Sequence, residues 1–86
     1  MPRISEFYGI VIAMFYNDHE PPHFHAFYAE HRAVIEIASA EVLQGALPRR
    51  ALNLVSEWAA LHAEELQENW RRARDHAALQ QIEPLR

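Results

Sequence analysis

The densest chemistry in the sequence lies in one short segment, His19-Glu20-Pro21-Pro22-His23-Phe24-His25. Alternate side chains of a strand share a face, so His23 and His25 point the same way, with Cα atoms roughly 6.5–7 Å apart. Two imidazoles at that spacing can reach one ion, and His19 in the preceding turn can supply a third nitrogen. The spacing therefore predicts a divalent metal site, such as a zinc site, on His19, His23 and His25.

Carboxylates near this segment could complete the ligand set. Three histidines with an open fourth position suit a catalytic zinc or another divalent ion. The chain has no cysteine, which excludes thiolate metal sites, thiol nucleophiles and disulfides. Any metal site must therefore use histidine and carboxylate ligands, and the candidate carboxylates are Asp18, Glu20, Glu30 and Glu36.

The same histidines can also act without a metal. Neutral and protonated imidazoles coexist near pH 6.5, so two of them can divide the roles of general acid and base. An arginine would then stabilise the charge that develops on a phosphate. Arg32 is one candidate, and Arg49 and Arg50 lie in a predicted first helical turn, where a cation opposes the helix dipole unless an anion is bound. The predicted catalytic set is His19, His23, His25, Arg49 and Arg50.

A third alternative is structural. The two prolines fix a turn, Phe24 packs inward, and the imidazoles hydrogen-bond to backbone or carboxylate groups at a sheet edge. The residues alone leave the metal, acid–base and structural alternatives open.

Length and composition limit the protein to one small core. The 86 residues are 50% hydrophobic with a net charge of −4, which predicts a single domain over residues 1–86. A core of this size gives little net stability, so a metal or a partner subunit is a plausible addition.

The net acidity argues against a protein that coats nucleic acids in general. The longest apolar run, residues 7–16, is too short to span a bilayer, and we expect a cytoplasmic protein without membrane contact.

The first half of the chain predicts strands. The run at 7–16 is rich in β-branched and aromatic residues, and 23–31 and 33–38 are further strand candidates. A short fourth strand covers 41–44. Because the connections are too short for parallel crossovers, the strands form an antiparallel meander. Residues 4–46 therefore predict an N-terminal antiparallel sheet of three to four strands.

The second half predicts helix over residues 48–76, followed by an irregular tail at 77–86. A single helix of that length would be roughly 43 Å long, against about 30 Å for a compact domain. The alternatives are one long overhanging helix or two shorter helices with a break near His62, where Glu64 and Glu65 would suit a new first turn. The predicted fold is α+β, with the sheet packed against the C-terminal helices.

One apolar stripe of this helical half is a candidate partner-binding surface. Leu54, Trp58 and Leu61 lie off the main stripe that should cover the sheet. They either dock a small cognate partner or a second copy of the chain, or belong to the core.

The sequence resembles a widespread family of short bacterial domain-of-unknown-function proteins that carry a Pro-Pro-His-Phe-His signature. The resemblance covers nearly the whole chain. It rests on Phe7-Tyr8-Gly9-Ile10, on Asp18-His19 with Pro21-Pro22-His23-Phe24-His25-Ala26 and Tyr28, on Ala33, Ile35 and Ile37, on Leu47-Pro48-Arg49-Arg50-Ala51-Leu52, on Glu57-Trp58, Glu65-Leu66 and Asn69-Trp70, and on Ile82-Glu83-Pro84-Leu85. Ala29 and Ala40 stand where such proteins often have glycine.

Genes of this family commonly stand beside a gene for a small protein with a DNA-binding-like domain, and such pairs have been proposed as toxin–antitoxin modules. The resemblance implies that this chain is the toxin-like member of a two-gene module. Together with the His and Arg chemistry, it points to RNA or another phosphate-containing substrate. The alternative is a non-catalytic partner-binding or homodimeric module, in which the His-x-His turn is structural or holds a metal.

Overall fold

The computed structural model describes residues 2–86, and its first two strands form a tight hairpin. Strand β1 spans Arg3–Phe7 and β2 spans Ile10–Ala13, with Phe7 paired to Ile10. The single strand predicted over 7–16 is therefore wrong. Tyr8 and Gly9 have φ angles of 50° and 80°, and positive φ at both turn residues is typical of a two-residue hairpin. The apolar run continues through this turn, so hydrophobicity alone does not reveal it.

Three more strands complete the sheet: β3 (His23–Tyr28), β4 (His31–Glu36) and β5 (Val42–Ala46). The order is β1-β2-β3-β4-β5, and every neighbouring pair is antiparallel. The predicted antiparallel meander is confirmed, with five strands because the first predicted strand is a hairpin.

Two alanines in the turns of this sheet adopt left-handed backbone conformations. Ala29, between β3 and β4, has a φ of 52°, and Ala40, before β5, has a φ of 62°. This region costs an L-residue roughly 1–2 kcal/mol, because its Cβ approaches a carbonyl oxygen, and it costs glycine almost nothing.

We therefore expect Ala29→Gly and Ala40→Gly to stabilise the protein. Glycine relieves backbone strain in the folded state, and this gain exceeds the free-energy cost of the greater conformational entropy of the unfolded chain. Each substitution should therefore raise the free energy of unfolding by up to about 1 kcal/mol. Ala38→Gly is the control, because Ala38 lies in the same turn as Ala40 and has no positive φ. This variant should be as stable as wild type or less stable. Urea denaturation measures all three variants. Equal destabilisation by the three would contradict the expectation.

The helical half contains two helices, α1 (Arg49–Leu61) and α2 (Ala63–Arg74). The break lies at His62, as the alternative with two shorter helices predicts, and the longest dimension of the molecule is 33 Å. Glu64 and Glu65 occupy the first turn of α2, where carboxylates complement the helix dipole. The α+β architecture is thus a sheet followed by two helices.

Helix α1 packs on one face of the sheet through Trp58. This side chain is 0% exposed, and its ring lies 5.4 Å from that of Phe7 and 5.9 Å from that of Phe24. Trp58 is therefore in the core and is not presented to a partner. Leu54 is half-buried, whereas Leu61 is 67% exposed.

Residues 77–86 contain no helix or strand, yet they are fastened to the fold. The Ile82 amide donates to the Ile4 carbonyl on β1 at 2.7 Å, and Trp58 Nε1 donates to the Glu83 carbonyl at 2.9 Å. Buried Asn69 exchanges two hydrogen bonds with the backbone of Gln80. The tail thus lies along β1, at the opposite edge of the sheet from β5.

Candidate functional site

The signature histidines lie at the start of β3. His23 and His25 are alternate residues of this strand, so their side chains share a face, as predicted. Asp18 lies in the loop between β2 and β3, after Asn17, whose φ of 61° turns the chain. The loop brings the Asp18 carboxylate back over the strand, beside both imidazoles.

One carboxylate oxygen joins the two rings. Asp18 Oδ2 lies 2.8 Å from His23 Nε2 and 3.2 Å from His25 Nε2. One ligand atom from each of the three residues lies within 4.8 Å of the others. We call Asp18, His23 and His25 the His–Asp cluster.

The other nitrogen of His23 fixes the state of its ring. His23 Nδ1 lies 2.7 Å from the Pro21 carbonyl oxygen, which only accepts, so Nδ1 carries a hydrogen and donates it. In the neutral ring Nε2 then presents a lone pair to the Asp18 carboxylate. Two acceptors at this distance require a positive group between them, either a proton or a metal ion. A backbone carbonyl that orients the far ring nitrogen is also the usual support of a metal-bound histidine.

Aromatic side chains hold the rings in place. His23 is buried, and its ring lies 5.1 Å from that of Trp70 on α2. The rings of Phe15 and His25 pack nearly perpendicular to each other, with centroids 4.6 Å apart. Glu20 accepts hydrogen bonds from Trp70 Nε1 at 3.4 Å and from Arg74 at 2.7 Å, so α2 also holds the loop. The cluster is therefore preorganised by both the sheet and the second helix.

The electrostatics keep Asp18 ionised and His25 neutral. Burial raises the pKa of Asp18, but hydrogen bonds from His25, His23 and the His19 amide outweigh it, and the pKa lies below its usual value. Burial lowers the pKa of His25, against the hydrogen bond with Asp18, and the charges of His23 and Arg32 lower it further. An ionised carboxylate and a neutral imidazole are the forms that bind metal.

Acidification should destabilise the metal-free protein through His25. The unfolded chain protonates this imidazole near its usual pKa of 6.5, whereas the folded chain does so at lower pH. Between these two values the unfolded state binds more protons, so the free energy of unfolding falls as the pH falls.

We expect chelator-treated wild type to lose more stability than His25→Gln between about pH 7 and pH 5, as measured by urea denaturation at each pH. His31→Gln is the control, because His31 lies outside the His–Asp cluster, and it should follow wild type. Identical pH profiles for His25→Gln and wild type would contradict this assignment.

His19, the third predicted ligand, lies beside the cluster and outside it. Its side chain is 90% exposed, and its Nδ1 lies 3.2 Å from Asp18 Oδ1, the oxygen that does not join the rings. Among the predicted carboxylates the structure brings Asp18 to the histidines. Glu36 accepts from Ser39, and Glu30 lies near His31.

The structure does not bring the predicted arginines of α1 to this site. Arg49 is exposed at the start of the helix, and Arg50 lines a separate cavity of about 580 Å³ with Tyr8 and Tyr28. Tyr28 is the last residue of β3, about 17 Å along the strand from His23. Arg32 on β4 lies on the His25 side of the sheet. The sequence gives its residue type, whereas its approach to His25 depends on the pairing of β3 with β4.

The donor set of the cluster fits a catalytic type of metal site. Many catalytic zinc sites have three protein ligands and one open position. Two imidazole nitrogens and one carboxylate oxygen are one such set of ligands. The same set also suits iron(II). Zinc–nitrogen and zinc–oxygen bonds of about 2.0–2.2 Å place ligand atoms roughly 3.3 Å apart in a tetrahedron, which is close to the separations around Asp18 Oδ2.

Fold and site together define a small α+β protein with a preorganised His–Asp cluster on its sheet. A family model described as "Domain of unknown function (DUF4160)" matches residues 9–71, and the chain belongs to this family. Neither the curated proteins nor the solved structures give a significant match. No helix among residues 2–86 is both long and apolar enough to cross a membrane.

Proposed function

We propose that the His–Asp cluster binds a divalent metal ion, such as zinc, and that the protein hydrolyses a phosphate ester, with RNA as the favoured substrate. We also propose that it does so as the cytoplasmic, toxin-like component of a two-gene bacterial module. One observation carries the chemical part of this proposal. His23 Nε2, His25 Nε2 and Asp18 Oδ2 meet at 2.8 and 3.2 Å, and the far nitrogen of His23 is already committed to a backbone carbonyl.

The cluster is accessible to a substrate. A cavity of about 260 Å³ is lined by Asp18, His23 and His25 together with Val34 and Gln44. A metal ion held by these three residues would therefore border a space that can admit a phosphate group.

The residues around the cluster can serve a hydrolytic reaction. A divalent ion at this position supplies a Lewis acid for phosphate oxygen atoms. In hydrolysis, water oxygen adds to phosphorus, the phosphorus–oxygen ester bond breaks, and the proton lost by water ends on the leaving hydroxyl. Exposed His19, adjacent to Asp18, can carry that proton.

The test uses a quenched fluorescent oligoribonucleotide and untagged protein loaded with one equivalent of zinc. Wild type should cleave it, and His23→Ala/His25→Ala should lose at least about 100-fold in rate. His31→Ala is the control and should retain activity. Expression in a bacterial host should inhibit growth for wild type and the control, and the double variant should not. Equal cleavage and growth inhibition by the folded double variant would contradict the proposal.

A non-catalytic binding module is the second candidate, and one observation favours it. With a proton on His23 Nε2, the three members of the cluster satisfy one another by hydrogen bonds without a metal, as a purely structural motif would. This candidate predicts that His23→Ala/His25→Ala lowers the melting temperature and leaves partner capture or growth inhibition unchanged.

A further inference from the structure

A groove crosses the sheet face that carries His25. It is formed by two adjoining cavities of about 340 and 260 Å³, and both are lined by His25, Val34 and Gln44. Strand pairing places these three residues side by side on β3, β4 and β5. The first cavity extends to Arg32 and the second to Asp18. We call this space the sheet groove.

Arg32 lies at the end of the sheet groove away from Asp18. It pairs with Phe27, and His25 pairs with Val34, so Arg32 and His25 are diagonal neighbours on one face, about 7–8 Å apart. Arg32 therefore lies on the same sheet face as His25 and lines the groove beside it. Its charge already acts on His25.

Arg32 has no partner of its own within residues 2–86. Five of the eight arginines form an ion pair with a carboxylate, whereas Arg32, Arg49 and Arg50 do not. Of these three, Arg32 is the one that lines the sheet groove. A free guanidinium beside a metal site is suited to hold a phosphate through two parallel hydrogen bonds.

The rest of the surface suits the organic part of a nucleotide. The Phe27 ring lies nearly parallel to that of His25, with an interplanar angle of 11° and centroids 6.4 Å apart. Val34 and Leu43 add apolar walls. Aromatic side chains on an open sheet face are a common way to stack unpaired RNA bases.

We infer that the sheet groove binds single-stranded RNA over one or two nucleotides, with a backbone phosphate between Arg32 and the metal position. This inference rests on the proposed function, because it names the substrate of that site. The net charge of −4 limits the contact to few phosphates. Each phosphate neutralised on a single strand contributes about −0.7 to the slope of log affinity against log salt, so the wild-type slope should lie near −0.7 to −1.4.

The experiment measures binding of a fluorescein-labelled, eight-nucleotide 2′-O-methyl RNA to zinc-loaded, untagged protein by fluorescence anisotropy across a salt series. Arg32→Gln should weaken binding about tenfold and make the slope shallower by about 0.7. Arg50→Gln is the matched control and should change affinity less than about twofold. Gln44→Glu, which adds a negative charge inside the groove, should also weaken binding, whereas the same change at exposed Gln80 should not.

Zinc titration of each variant keeps the two proposals apart. Normal zinc affinity in Arg32→Gln with weakened RNA binding supports the groove. Unchanged RNA binding in Arg32→Gln and Gln44→Glu, or an equal loss in Arg50→Gln, overturns the inference that RNA binds in the sheet groove. Neither result contradicts the proposed metal site. RNA binding that depends on Arg32 in a protein that binds no zinc supports the groove and overturns the proposed metal function.

Discussion

We expect the replacement of Asp18 by asparagine to weaken the proposed zinc binding by at least about 100-fold. Asp18 Oδ2 is the atom that meets both imidazole nitrogens, and asparagine keeps the shape but removes the negative charge. Loss of an outer-shell partner of a metal site already costs about 10–100-fold in affinity, and a direct ligand should cost at least as much. Competition against a zinc-chelating indicator measures this loss at neutral pH.

Asp75→Asn is the matched control for this variant. Asp75 lies at the C-terminal end of α2, outside the His–Asp cluster, so Asp75→Asn makes the same chemical change away from the site. The zinc affinity of this variant should stay within about twofold of wild type. His19→Ala should weaken binding less than Asp18→Asn does, because His19 is exposed and lies beside the cluster. Zinc affinity that survives Asp18→Asn would contradict the assigned ligand set.

Replacing Trp58 with alanine will produce the largest loss of stability. The indole is fully buried against Phe7 and Phe24 and holds the tail through its bond to the Glu83 carbonyl. Truncation of a buried tryptophan costs about 3–5 kcal/mol, and a domain of this size loses roughly 4–8 °C in melting temperature per kcal/mol. We expect a fall of at least about 12 °C, or failure to fold, measured by thermal denaturation.

Leu61→Ala provides the contrast on the same helix. Leu61 ends α1 and is mostly exposed, so its truncation should change the free energy of unfolding by less than about 0.5 kcal/mol. Trp58→Phe keeps the aromatic packing, loses the hydrogen bond to the tail, and should fall between the two. A mild effect of Trp58→Ala, or an effect of Leu61→Ala as large, would contradict the placement of Trp58 in the core.

The sequence predicts an element of the fold where the local residue pattern agrees with the way that the folded chain packs. Length limits the helical half to two alternatives, an overhanging helix over 48–76 or a helix broken near His62, and the structure shows the break at His62. The hairpin at Tyr8 and Gly9 does not follow, because its turn lies inside an apolar run and only Gly9 marks it. The packing of Ile82 on β1 is equally hidden, since an irregular tail carries no periodic signal of where it binds.

The same limits apply to the candidate site. Strand alternation predicts that His23 and His25 share a face, since that depends on adjacent positions alone. Which of four carboxylates joins them depends on the path of the loop, and sequence cannot separate Asp18 from Glu20. The choice among the arginines requires strand pairing, because Arg32 approaches His25 only through the register of β3 and β4.

The most direct test of the metal site is a crystal structure of the untagged, zinc-loaded protein, with anomalous diffraction measured at the zinc edge. The predicted result is one full-occupancy peak about 2.0–2.2 Å from His23 Nε2, His25 Nε2 and an Asp18 oxygen, with the His23–Pro21 bond retained. A peak at His62 and Glu65, a close histidine–carboxylate pair at the start of α2, or no stoichiometric zinc at the His–Asp cluster, would contradict it.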